Sequence, residues 1–220
     1  PHINFVKGAH IVSNYLRTKS SDKILGVLSF NFDYGLNQLW QCLLLGCSLF
    51  LHNFTFPIDF FNFVKTKKIS VLPLMPVIMS IIFQKKIPAV FKHVRYICTS
   101  GGPVEKDIIL KLKRNFPKSK IILMYGLTEA FRSTFLEPNK VLKKYNSIGK
   151  AIPNVKIHIL NTKLQDCKVG EVGELVHRGG CISKGYYRDL KNTKKVFKNI
   201  KRFPGEKVVF SGDLVKKDKE

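Results

Sequence analysis

The chain has 220 residues, enough for one large domain or two small ones, and its 45% hydrophobic content can fill a buried core, which excludes a disordered protein. Its formal net charge is +23, but the lysines lie mostly at the ends or on the polar faces of apolar segments, so we expect a solvated basic surface and no nucleic-acid partner. A non-enzymatic basic binding domain is a distant alternative, and it would require an unbroken basic face.

The first residues of the chain and its cysteines bear on the cellular location of the protein. The first residue is Pro1, and the residues after it have neither the basic start nor the apolar stretch of a secretion signal, so we expect a piece of a longer protein. Five cysteines without a C-x-x-C pair are typical of the reducing cytoplasm. The longest apolar run, Leu39 to Leu51, is too short and interrupted for a transmembrane segment.

Residues 24 to 125 alternate between apolar strand-like runs and helical patterns, which predicts an α/β fold with a parallel sheet and crossover helices. The nearly continuous apolar runs indicate strands buried on both faces. The predicted strands are Ile24–Ser29, Ser48–Leu51, Ile69–Leu72, Val94–Thr99 and Ile121–Met124, and the predicted helices between them are Pro57–Lys67 and Val104–Phe116.

The pattern changes near residue 147, where short alternating strands and glycine turns predict a β-rich, barrel-like subdomain. Its predicted strands are Val155–Leu160, Glu174–His177 and Val208–Val215, with one helix at Leu190–Phe197. We therefore expect an α/β part that binds nucleotide and acid over residues 1–146, followed by a β-rich part over 147–220.

Two predicted strands end in unusual loops. Ser100, Gly101 and Gly102 follow one strand, and Tyr125-Gly126-Leu127-Thr128-Glu129 follows another. Ligands bind beyond the carboxyl ends of parallel strands, and the second loop offers a planar ring, a hydroxyl and a carboxylate, as a nucleotide with its metal ion requires. Taken singly, such loops also occur as tight turns or helix starts.

Together these motifs resemble the adenylate-forming superfamily, which includes acyl-CoA synthetases, the adenylation domains of nonribosomal peptide synthetases and beetle luciferases. Tyr125 to Glu129 matches its Tyr-Gly-x-Thr-Glu core at every defined position. Further matches stand in the family's order along the chain: His2-Ile3-Asn4, Ser100-Gly101-Gly102, Ser147 to Pro153, Gly173 to Gly179 with Gly185-Tyr186-Tyr187, and Ser211-Gly212-Asp213-Leu214.

The resemblance implies ATP-dependent activation of a carboxylic acid as its acyl-adenylate, with Mg²⁺ as cofactor. It implies that Tyr125 stacks on adenine, and that Thr128 hydrogen-bonds the α-phosphate. Glu129 would hold Mg²⁺, and Asp213 would accept the ribose hydroxyls. The residues that would line the nucleotide pocket are Ser100, Gly101, Gly102 and Gly126.

The resemblance also implies parts that this chain lacks. The family's glycine-rich phosphate loop should precede Pro1, and its small C-terminal domain, with a lysine that contacts the acyl phosphate, should follow Glu220. We therefore expect these 220 residues alone to form no acyl-adenylate.

The sequence leaves open which acid is activated and which group accepts it. Phe32 and Asp33 occupy the family's substrate-side position, where an aspartate pairs with the ammonium group of an amino acid, although Asp33 would equally suit a helix N-cap. Met124 would line the acyl pocket, and the residues around Gly185 are closer to acyl-CoA ligases. The leading interpretation is transfer of the acid to CoA. The alternative is amino-acid adenylation for the phosphopantetheine of a carrier protein.

Overall fold

A computed structural model describes residues 1–84 and 90–220, and this part of the chain holds six helices and eleven strands. The helices are α1 (His2–Leu16), α2 (Asp33–Leu45), α3 (Pro57–Thr66), α4 (Pro76–Ile82), α5 (Lys106–Asn115) and α6 (Leu190–Val196). The strands are β1 (Lys23–Gly26), β2 (Ser48–Leu51), β3 (Val71–Leu74), β4 (Tyr96–Thr99), β5 (Lys120–Tyr125), β6 (Thr134–Leu136), β7 (Lys150–Ala151), β8 (Val155–Leu160), β9 (Val172–Gly179), β10 (Phe197–Asn199) and β11 (Lys207–Lys216).

Seven strands form one mostly parallel sheet in the order β2-β1-β3-β4-β5-β6-β7. The first five strands run parallel, and β6 pairs antiparallel with β5. Every residue of β3 and β4 is buried, as their continuous apolar sequences require in a sheet covered on both faces. The predicted α/β class with a parallel sheet is confirmed.

The crossover helices follow local sequence rules. Proline occupies the first turn of α3 and α4, where its fixed φ suits the helix and its missing N–H is not needed. In α5, Ile108, Ile109 and Leu112 form the buried stripe. Asp107 in the first turn of α5 and Arg114 in its last turn oppose the charges of the helix dipole.

Several elements differ from the sequence-based expectations. Helices α1 and α4 and the short strands β6, β7 and β10 are additional. The strand expected at residues 69–72 lies instead at Val71–Leu74, so it passes through Pro73, and β1 ends at Gly26 rather than at residue 29.

The chain divides into two compact units. The parallel-sheet unit comprises residues 5–125 and 134–150, and the antiparallel-sheet unit comprises residues 1–4, 126–133 and 151–220. In the second unit, four antiparallel strands pair in the order β10-β11-β9-β8. The functional boundary expected at residues 146 and 147 stays a prediction.

The parallel-sheet unit has an extensive aromatic core. The ring of Phe91 stacks on Phe61 at 5.4 Å and on Phe116 at 5.1 Å between centroids, and Phe60 packs edge-on to Phe61. All four rings are buried, and each such side chain contributes about 1.5–3 kcal/mol through its removal from water.

A buried carboxylate joins the amino ends of the parallel strands. Asp22, one residue before β1, accepts hydrogen bonds from Arg95 Nε at 2.8 Å and from Ser70 Oγ at 2.8 Å. Its backbone carbonyl accepts the N–H of Ser48, the first residue of β2, at 3.1 Å. Arg95 and Ser70 stand immediately before β4 and β3, so one side chain ties together the starting points of neighbouring strands.

None of the helices within residues 1–84 and 90–220 has the length and apolar character needed to span a lipid bilayer.

Candidate active site

The parallel-sheet unit presents several predicted site residues at one edge of its sheet. Strands β1, β3, β4 and β5 run in the same direction, so their carboxyl ends lie together. Ser100 to Gly102 follow β4, and Tyr125 is the last residue of β5. Phe32 and Asp33 lie at the start of α2, in the connection that leaves β1.

The loop after β4 depends on its glycines. Gly101 has a φ of +89°, which L side chains rarely adopt, and a β-carbon there would lie 3.2 Å from Met75 Cε. Ser100 is buried, whereas Gly101 and Gly102 are exposed. The loop therefore offers bare backbone against which a flat ligand can lie.

Met124 belongs to a packed cluster in β5. It is only 6% exposed, and the hydroxyl of Tyr15 from α1 donates to its Sδ at 2.9 Å. The Tyr15 ring stacks on Phe135 of β6 with centroids 4.3 Å apart and planes 6° apart. Met124 is thus held by a tyrosine that itself stacks on a neighbouring strand, a contact that no local sequence pattern indicates.

The structure at the start of α2 tests whether Asp33 is a helix N-cap. The N-cap residue is Phe32, which makes no side-chain cap hydrogen bond, and Asp33 is the first helical residue. The N-cap explanation of Asp33 is therefore wrong, although its charge still suits the positive end of the helix. Next to it, the Tyr34 hydroxyl donates to the Cys98 carbonyl at 2.8 Å, which fastens the start of α2 to β4.

The loop that follows Tyr125 belongs to the antiparallel-sheet unit. Backbone hydrogen bonds of 3.3 and 3.2 Å between Leu127 and Ala130 close a tight turn over Thr128 and Glu129. Thr128 is exposed, and Glu129 is half-buried. A β-carbon at Gly126 would lie 3.0 Å from the Cα of Arg132, so only glycine fits without displacement. The turn carries a hydroxyl and a carboxylate on adjacent residues.

Residues 181 to 186 hold this turn from the other side. Ser183 N donates to the Glu129 carbonyl at 2.8 Å, and Phe131 N donates to the Cys181 carbonyl at 3.1 Å. The Asn4 side-chain amide donates to the Ile182 carbonyl at 2.8 Å. Asn4, which the sequence placed in a motif without assigning it a contact, thus braces the segment that supports Glu129.

The phenol of Tyr186 reaches the Glu129 side chain itself, and its hydroxyl donates a hydrogen bond to the carboxylate. This hydrogen bond, with partial burial and the negative charge of the carboxylate, raises the pKa of Tyr186 to about 12. Tyr186 lies within a sequence motif, but the motif alone does not indicate this contact.

A buried serine and histidine fasten the chain just after the turn. His177 Nε2 lies 2.8 Å from the Gly180 carbonyl, so it must carry the proton, and Nδ1 accepts the hydroxyl of Ser133 at 2.9 Å. Burial lowers the pKa of His177 and keeps it neutral, as this arrangement requires. Both side chains are completely buried, so the pair is structural rather than nucleophilic.

Asp213 lies on an irregularity in β11. The register with β9 shifts between Phe210 and Leu214, and Gly212 has a φ of +77°. The Gly212 N–H donates to Glu174 Oε1 at 2.9 Å, which anchors the bulge to β9. Asp213 is exposed as a result.

The oxygen donors fit a magnesium ion held jointly with phosphate. Within the described residues, no group of three or more His, Cys, Asp or Glu side chains could enclose a metal ion. Mg²⁺ is commonly bound through one or two carboxylates together with substrate phosphates rather than by an all-protein cage. Glu129 beside the Thr128 hydroxyl matches that arrangement.

Two curated relatives have names from different classes of enzyme, a peptide antibiotic synthase and a CoA ligase. Gramicidin S synthase 1 of Brevibacillus brevis is 27% identical over 91% of this chain and 18% of its own length. The probable 4-coumarate–CoA ligase 2 of Dictyostelium discoideum is 28% identical over 89% of this chain and 36% of its own length. The chain thus spans well under half of either relative.

A solved structure shares the fold. The long-chain-fatty-acid-CoA ligase FadD1 of Archaeoglobus fulgidus superposes with a TM-score of 0.87 at 19% identity, over 99% of this chain and 46% of that one. The family described as AMP-binding enzyme matches residues 1–187. With that match covering most of the sequence, the chain belongs to the AMP-binding enzyme family.

Proposed function

We propose that this chain carries the nucleotide-binding part of an enzyme that activates a carboxylic acid with ATP as its acyl-adenylate. The observation that supports this most directly is the turn over Thr128 and Glu129 that follows β5, whose backbone is closed by two hydrogen bonds and whose Glu129 carboxylate accepts a hydrogen bond from Tyr186. A turn held in this way can offer its hydroxyl and carboxylate to phosphate and a metal ion with little reorganisation of the backbone.

Each residue has a proposed task. Tyr125 and the exposed backbone at Gly101 and Gly102 bind the adenine ring, and Asp213 accepts the two ribose hydroxyls. Thr128 donates to the α-phosphate, and Glu129 holds Mg²⁺. When bound, the ion neutralises charge on the phosphate oxygens.

The proposed reaction depends on positioning the acid and ATP more than on proton transfer. The substrate carboxylate is already ionised at neutral pH and attacks the α-phosphorus, and pyrophosphate leaves. No general base is needed, which agrees with the structural role of the buried Ser133 and His177 pair. Met124 would form one wall of the acid pocket.

For the acceptor we propose CoA, and we propose that the catalytic unit extends beyond these 220 residues because the matched relatives are much longer. A second candidate is amino-acid adenylation for a carrier protein. It is favoured by Asp33, whose carboxylate lies in the first turn of α2 at the carboxyl edge of the sheet and could pair with a substrate ammonium group.

The test is ATP–pyrophosphate exchange by the full-length protein with a panel of fatty, aromatic and amino acids. We expect exchange with at least one acid, a loss of about 100-fold or more in Thr128→Ala and Glu129→Gln, and none from the 220-residue chain alone. Exchange that is absent for every acid, or undiminished in both variants, would refute the proposal.

Asp33→Ala separates the two candidates. If the enzyme activates an amino acid, this variant should raise the KM for that acid while leaving ATP binding unchanged. Activation of an acid without an ammonium group, unaffected by Asp33→Ala, removes the second candidate.

A further inference from the structure

The segment Gly185-Tyr186-Tyr187 contains two adjacent tyrosines with opposite environments. Tyr187 is 85% exposed and contacts Arg188, whose guanidinium lies 5.2 Å from the ring centroid. Tyr186 is half-buried, and its hydroxyl donates to Glu129, 57 residues earlier in the chain. Neither tyrosine has a task in the proposed reaction described above.

Tyr186 is held firmly at both ends. Its backbone N–H donates to Thr193 Oγ1 at 2.9 Å, and that hydroxyl donates to the Asp189 carbonyl at 2.7 Å. Its ring packs edge-on to Phe197 with centroids 5.8 Å apart. A β-carbon at Gly185 would lie 2.6 Å from Thr193 Cγ2, so the glycine is what allows this close approach.

The hydrogen bond between Tyr186 and Glu129 restricts the glutamate side chain, which otherwise has several rotamers. Without it, a bound ligand would have to select one rotamer, and this would cost conformational entropy on binding. A carboxylate has two oxygens with about four acceptor positions. The phenol occupies one position on Oε1 of Glu129, so Oε2 can face a cation. The backbone carbonyl of Glu129 is fixed as well, through the N–H of Ser183.

We propose that Tyr186 is a positioning residue that orients the Glu129 carboxylate toward a divalent cation. The inference rests on the proposed role of Glu129 as the magnesium ligand. Tyr186 itself touches neither the metal ion nor the acid, and it acts through the carboxylate. Outer hydrogen-bond partners of metal ligands commonly change metal affinity by about 10- to 100-fold when they are removed.

The test uses the full-length protein and Mn²⁺ as a paramagnetic probe, with binding followed by electron paramagnetic resonance in the presence of a non-hydrolysable ATP analogue. Tyr186→Phe removes only the hydroxyl and should weaken Mn²⁺ binding about tenfold. Tyr187→Phe is the matched control and should stay within about twofold, because its hydroxyl lies in solvent. The Mg²⁺ concentration for half-maximal pyrophosphate exchange should rise in parallel.

A double mutant separates orientation from a general structural effect. In a Glu129→Gln background, Tyr186→Phe should cause no further loss of Mn²⁺ affinity, because the two residues act as one unit. A further loss there, or unchanged or tighter binding in Tyr186→Phe alone, overturns the inference. If Tyr186→Phe also lowers the midpoint of thermal unfolding, the double mutant still separates lost orientation of Glu129 from a general loss of stability.

The outcomes distinguish this inference from the proposed function. If the wild type binds no Mn²⁺ with the nucleotide and exchanges no pyrophosphate with any acid, the proposed function fails. If the wild type does both and Glu129→Gln weakens both measurably while Tyr186→Phe behaves like Tyr187→Phe, only the role of Tyr186 fails.

Discussion

At the scale of single residues, Asp22 shows how a buried charge is made tolerable. Its side chain is 2% exposed, yet it accepts hydrogen bonds from Arg95, Ser70 and the backbone N–H of Lys19. Burial alone would raise the pKa of the Asp22 carboxyl, but these hydrogen bonds, led by that of Arg95, lower it below its ordinary value of 3.8. The charged form is therefore favoured in the folded protein.

Asp22→Asn should lower the free energy of unfolding by about 2–3 kcal/mol at pH 7, because it leaves the Arg95 guanidinium and its neighbours poorly paired. The measurement is urea unfolding followed by circular dichroism. The control is Asp107→Asn, which breaks an exposed pair with Lys111 of 2.7 Å on α5 and should cost about 0.5 kcal/mol or less.

The pH dependence of stability tests the same role of Asp22. Because folding depresses the Asp22 pKa, its stabilisation is present above about pH 3.8 and is lost as the pH falls through the lower folded-state value. The stability difference between wild type and Asp22→Asn should shrink over that range. A difference that stays constant down to pH 2 would contradict the assignment.

At the scale of elements, α2 packs directly on the connection that precedes it. A β-carbon at Gly35, in the first turn of α2, would lie 2.1 Å from the carbonyl oxygen of Ser29. The backbone of the β1–α2 connection and that of the helix are therefore in contact, and this contact sets where Phe32 and Asp33 lie.

Gly35→Ala should destabilise the protein by about 1–3 kcal/mol through overpacking, despite the higher helix propensity of alanine. Leu43→Ala on the same helix is the control, since Leu43 is 67% exposed and its loss should cost little. Thermal unfolding of both variants measures the difference. Equal midpoints for the two variants would show that the helix moves freely away from the connection.

The elements that the sequence predicted are those with a strong apolar signal. Strands β4 and β5 and helix α5 lie where their patterns indicated, since burial selects continuous or periodic apolar residues. Helix α1 escaped prediction because its buried face includes Gly8, Ala9 and Ser13, which give a weak pattern. Strands β6, β7 and β10 have only two or three residues, too few for periodicity.

The site was predictable only as far as its motifs reach along the chain. The turn from Tyr125 to Glu129 could be located because five neighbouring residues carry the signal together. The contact of Tyr186 with Glu129 and that of Tyr15 with Met124 join residues 57 and 109 positions apart. No local pattern encodes such pairs, since they exist only once the strands are in register.

At the scale of the whole molecule, the charge of +23 should oppose the compact state through self-repulsion. Raising NaCl from 10 to 150 mM shortens the screening length from about 30 to about 8 Å, so we expect the thermal midpoint to rise. Circular dichroism melts at both salt concentrations measure this. A midpoint that falls with salt would show that attractive ion pairs outweigh the repulsion.

The Asp22 network has a consequence for how this chain can evolve. It joins the amino ends of strands whose opposite ends lead to the loop of Gly101 and to Asp33 at the start of α2. A four-residue strand such as β4 separates the two edges by about 13 Å, beyond the range of about 7–10 Å over which substitutions usually interact. If the carboxyl edge selects the acid, as we propose, substitutions there can therefore accumulate without weakening the Asp22 network at the amino edge.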